Sequence, residues 1–127
     1  MKSENIISKL ELAGGVTAII SDHSRHYYGG YYHVCLQILA EVPVFKECFK
    51  SETEHADAVR LLGAKIFFRR KLEKMAVPVE EVELIRRSLL DSFTAHMLPY
   101  LMRQDFPRRF VLSEYKAAIA KPGFLRR

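Results

Sequence analysis

Two Gly-Gly pairs, Gly14-Gly15 and Gly29-Gly30, divide the first third of the chain into three segments. Glycine tolerates the positive φ angles of tight reversals, so such pairs between strand-like runs read as hairpin turns. The runs they separate, Ile6–Ala13, Val16–Tyr28 and Tyr31–Val42, are rich in Val, Ile, Leu, Thr and Tyr. The expectation is a three-stranded antiparallel meander. If each turn has two residues, Ala13 faces Val16 and Tyr28 faces Tyr31.

That register sorts the side chains by face. Leu10, Leu12, Ile19, Tyr27, Tyr32, Val34, Leu36 and Ile38 fall on one side, and Lys9, Glu11, Asp22, Ser24, His26, His33, Cys35 and Gln37 on the other. A half-buried sheet needs this alternation. His23 and Arg25 are exceptions on the apolar side. Ile7, Val16, Ala18 and Ile20 are exceptions on the polar side, and read as a strip covered by something else.

Pro43 ends the third strand, because it cannot donate to a ladder. Ser51 or Thr53 can cap a short helix to about Leu62, which Gly63 stops. Over Ala64–Met75, Ile66, Phe68 and Leu72 alternate with Lys65, Arg69 and Lys71, favouring a fourth strand over a helix running through Met75. After Pro78 and the acidic Glu80, Glu81 and Glu83, the residues Val82, Ile85, Leu89, Phe93 and Met97 recur at helical spacing. Pro99 should kink or end that helix. A second helix starts after Pro107 and runs to about Ala120, closed by Pro122-Gly123.

Strands first and helices later give an α+β fold, an antiparallel meander packed on one face by C-terminal helices. With 127 residues, 49% of them hydrophobic, the chain has material for one core, so residues 1–127 read as a single domain. Its parts are a meander over 6–43, a mixed segment over 51–76 and helices over 79–120. No apolar run approaches the ~20 residues of a membrane span, and Met1–Asn5 lack the apolar stretch of a secretion signal. A cytoplasmic protein is expected, with Cys35 and Cys48 as free thiols.

Three constellations could carry function. In the expected register His26 lies across from His33 and diagonal to Cys35, near enough for two imidazoles and a thiolate to share a metal. Asp22 would be about 13 Å off along the strand, too far for the same ion. Cys35 with His26 is also a conceivable nucleophile pair, although mid-strand placement gives the thiol nothing to activate it. The bland alternative is a polar sheet face.

The second constellation is basic. Residues 1–62 hold six Lys/Arg against eight Asp/Glu, and residues 63–127 hold fourteen against seven. Arg69, Lys71, Arg108 and Arg109 are the candidates for nucleic-acid contact, with Phe67 and Phe110 among them for stacking. The third is the strip Val16, Ala18 and Ile20 together with Tyr28 and Tyr31, which suggests self-association.

No nucleotide-binding, zinc-finger or catalytic signature is present in the sequence. The expectation is therefore a small non-enzymatic binding or assembly module, a homodimer with no cofactor and no membrane role. A nucleic-acid binder and a metal or thiol site are the alternatives. The residues name no small-molecule ligand.

Overall fold

In the computed structural model, which describes residues 5–120, the chain reverses at both glycine pairs. Gly14, Gly15 and Gly29 adopt φ angles of 75°, 77° and 56°. The strands are β1 (Ile6–Glu11), β2 (Thr17–Asp22), β3 (Arg25–Tyr28), β4 (Tyr31–Pro43) and β5 (Lys65–Pro78). They form one antiparallel sheet. β2 and β3 lie end to end along one side of β4, with β1 beyond β2, and β5 pairs with the other side of β4. The meander is thus as expected, and residues 65–78 are strand. The expected strand over 16–28 is broken at His23-Ser24, where the Asp22 carboxylate accepts the Ser24 N–H at 2.9 Å.

The register departs from expectation at both turns. At the first, Ala13–Gly15 forms a 3₁₀ turn and the Leu12 N–H donates to the Val16 carbonyl at 2.8 Å. The ladder begins with Glu11 opposite Thr17, and Ala13 does not pair with Val16. At the second turn Tyr28 does pair with Tyr31. Tyr27 then bulges, so that His26 opposes Tyr32 and Arg25 opposes His33.

A one-residue slip moves side chains to the other face of a sheet. Val16, Ala18 and Ile20 accordingly join Ile38, Ala40 and Val42 in the core beneath the helices. They are 0%, 0% and 3% exposed, which corrects their assignment to an association surface. Ile19, expected inside, lies on the opposite face beside Leu39.

The helices are α1 (Glu52–Leu62), α2 (Val82–Ser92), α3 (Leu98–Leu101) and α4 (Phe106–Ala120). The Ser51 hydroxyl accepts the Glu54 N–H at 3.1 Å to cap α1, and Gly63, at φ 91°, ends it. Pro78 closes β5 rather than opening a helix, and a 3₁₀ turn over Val79–Glu81 leads into α2.

Pro99 does not end the helical run. The turn before it, Phe93–Met97, widens to π geometry, and Pro99 sits in the first turn of α3. Proline removes an intrahelical bond and crowds the preceding turn, and a wider turn accommodates both effects. Pro107, expected to precede the helix, lies within the first turn of α4, which begins at Phe106. The expected stop at Pro122-Gly123 lies outside the described residues.

Phe68 of β5 anchors the core between sheet and helices. Its ring meets Phe106 and Phe110 edge-on, with centroids 5.6 and 5.7 Å apart. Phe93, Leu101 and Val111 complete the helix side of the cluster. Among the described residues, no helix is long and apolar enough to cross a membrane.

Candidate functional site

The helices pack against the sheet face that carries Ala18, Ile38, Ala40 and Phe68. Strand alternation sends the intervening residues to the opposite face. These are Thr17, Ile19 and Ser21 from β2, Gln37, Leu39 and Glu41 from β4, and Phe67, Arg69 and Lys71 from β5. A groove of about 520 Å³ runs over this face, with Ile19 and Leu39 at its floor and Ser21, His23, Gln37, Arg69 and Lys71 around it. Phe67 is 38% exposed, and the Arg69 guanidinium stands over its ring at 5.2 Å from the centroid. Lys65 pairs with Glu41 at 3.1 Å, whereas the ion pairs among the described residues include neither Arg69 nor Lys71.

The four residues chosen for nucleic-acid contact are therefore split. Arg69 and Lys71 share the open sheet face. Arg108 and Arg109 belong to α4, in the layer on the other side, where Asp105 holds Arg109 at 3.4 Å. They form two surfaces, not the single one that the charge count suggested.

The histidine and cysteine residues are also redistributed. Because Tyr27 bulges, His26 pairs with Tyr32 instead of His33. Its ring meets Tyr32 edge-on at 5.4 Å, and Nε2 lies 2.5 Å from the Gly29 carbonyl oxygen. His26 therefore leaves the expected metal set. His33 and Cys35 remain together on one face of β4, and β5 brings them Glu73, the pairing partner of Cys35. His33 Nε2 lies 2.7 Å from Glu73 Oε1.

Sequence reasoning missed Glu73 because the β4–β5 register is set across α1, with no tight turn to define it. The alternation of β5 alone could have put Glu73 on the face of Lys71, but not opposite Cys35.

Cys35 is not built as a nucleophile. Burial first, and then the Glu73 carboxylate, push its thiol above the usual range, opposing formation of a thiolate. Its backbone N–H donates to the Ser24 hydroxyl at 2.9 Å. Cys48 is buried under the helices, and burial pushes its thiol up to about 11.

Asp22 serves the fold. Its register partner is Leu36 on the core side, and Arg86 of α2 reaches it at 2.8 Å. Burial disfavours the charged carboxylate, but hydrogen bonds from Ser24 and the Arg86 cation outweigh it and hold the carboxyl below its usual range. The pair fastens α2 to the sheet.

At the hairpin tip Tyr27, Tyr28 and Tyr31 stand exposed, Tyr28 at 75%. Two of the five residues chosen for self-association, Tyr28 and Tyr31, are thus on the surface, and the other three are in the core. No protein-family model, no curated protein and no solved structure matches the chain.

Proposed function

We propose that this chain is a non-enzymatic, cytoplasmic binding module that takes single-stranded nucleic acid on the open face of its sheet. The observation that carries this reading is the strip along β5, where Lys65, Phe67, Arg69 and Lys71 occupy alternate positions and point to the same side. Alternating cations and an exposed aromatic ring supply phosphate contacts and a stacking platform in one line, which suits a polyanion with planar bases. The apolar floor at Ile19 and Leu39 adds contact area beside that line. Two unpaired thiols, Cys35 and Cys48, suit a reducing compartment.

Fluorescence anisotropy with a labelled single strand of thymidylates and one of uridylates tests the reading. Binding at low salt should weaken steeply as salt rises, because released counterions drive association. Arg69→Glu with Lys71→Glu should abolish it, while Arg108→Glu with Arg109→Glu should leave most of it. No binding at low salt, or loss confined to the α4 variant, sinks the proposal.

Self-association is a second reading, supported by the three exposed tyrosines at the β3–β4 tip. Tyrosine is enriched where proteins meet, and two-fold dimers are the commonest small assemblies. Sedimentation at micromolar concentration should then show a dimer that Tyr28→Ser with Tyr31→Ser weakens. A clean wild-type monomer removes this reading.

A further inference from the structure

Among the described residues His33 is a buried polar side chain, 8% exposed, and its two ring nitrogens differ. Nε2 lies 2.7 Å from Glu73 Oε1, but Nδ1 has no hydrogen-bond partner. Cys35 lies two residues further along β4, directly opposite Glu73. A ring nitrogen of His33, the Cys35 sulfur and a Glu73 carboxylate oxygen all lie within 4.8 Å of one another.

We propose that His33, Cys35 and Glu73 bind a divalent cation of the zinc class, with a fourth, tetrahedral position left to water. Imidazole nitrogen, thiolate and carboxylate are the donors such an ion takes, whereas magnesium and calcium favour all-oxygen sets. Bonds of ~2.0–2.3 Å at tetrahedral angles place donors about 3.3–3.8 Å apart. The closest donor pair here is tighter than that, and the widest separation is 4.8 Å at most, so side-chain shifts of about an ångström form the site. Glu73, with its side chain 45% exposed, can supply that movement, while β4 fixes the other two donors.

A thiolate and a carboxylate neutralise the ion, and binding releases the thiol proton to solvent. Of the surrounding charges, Lys71 and Arg25 oppose the cation and Asp22 favours it. The site needs no nucleic acid, so it stands or falls apart from the reading above.

The test is a cobalt(II) titration of the full, reduced chain after dialysis against a chelator. One equivalent should produce the visible bands of four-coordinate cobalt and a thiolate-to-cobalt charge-transfer band, both bleached by one equivalent of zinc. Cys35→Ser should remove the charge-transfer band, and Cys48→Ser should leave it. Glu73→Gln alters a half-exposed side chain while keeping its size, and should weaken binding at least about tenfold. Circular dichroism confirms folding of each variant, and if Cys35→Ser fails to fold, Glu73→Gln decides. Absence of the band in folded wild-type protein overturns the proposal. Wild-type affinity in Glu73→Gln, or a band that survives Cys35→Ser, does so equally.

Discussion

Gly14→Ala should destabilise this protein far more than the same exchange at Gly29, although both glycines lie in exposed turns with positive φ. At Gly14, φ is 75° and a Cβ would stand 2.6 Å from Cγ and 3.3 Å from Cβ of Pro107. Pro107 is buried in the first turn of α4, and its ring has little freedom to yield. The left-handed backbone costs about 1–2 kcal/mol for an L residue, and overpacking against a fixed neighbour costs about 1–3 kcal/mol. Reduced freedom of the unfolded chain returns about 0.4–1 kcal/mol. The net loss is about 1–4.5 kcal/mol, centred near 3 kcal/mol.

At Gly29, φ is 56° and nothing lies within 4 Å of the added methyl, so the loss there should stay near 1 kcal/mol, as expected for backbone strain alone. Urea unfolding followed by circular dichroism reads both variants. A fall in midpoint with an unchanged slope assigns the effect to folded-state stability. Equal midpoints for the two variants would refute the reasoning, because the first turn would then not be seated against α4.

Three further outcomes follow from the structure. Phe68→Ala, which empties the centre of the ring cluster with Phe106 and Phe110, should cost about 3–5 kcal/mol in the same unfolding assay. Asp22→Asn should lower stability above about pH 5, where the unfolded carboxyl is ionised and the native pair with Arg86 is intact. Since the folded-state pKa is depressed, the wild-type advantage should fade as pH falls through that lowered value, and a pH-independent difference would contradict it. With its thiol held near 11, Cys48 is about one part in a thousand thiolate at pH 8. Its native reaction with a thiol reagent should then be much slower than after unfolding, and equal rates would show the site to be open.

Much of the architecture is legible in the sequence because its signals are local. The glycine turns, the Ser51 and Gly63 ends of α1 and the alternation from Lys65 onward each act within a few residues. Faces depend on register, and register is where local reading fails. Nothing in Arg25–Tyr28 marks Tyr27 as the residue that bulges, yet this one residue moves Ile20 into the core and separates His26 from His33. The first turn adds a second slip, because Leu12–Val16 closes through a 3₁₀ turn that glycines permit but do not require. Glu73 is illegible for a different reason, since β4 and β5 are joined through α1 rather than a tight turn and only their ladder decides what it opposes.

Among the described residues no strand pairs with the outer side of β5, so that side of the fourteen-residue strand presents an unpaired row of backbone donors and acceptors. Such a row is a template for adding strands from other molecules, and charged side chains along it are a common defence against aggregation. Lys65, Arg69, Arg70, Lys71 and Lys74 line this strand, and Ala76, at φ 57°, breaks its regularity near the end. The same cations would oppose strand-to-strand pairing of two copies along this edge. Neutralising them to probe ligand binding would also bare an aggregation edge, so charge reversal to glutamate, which keeps the strand charged, is the sounder exchange.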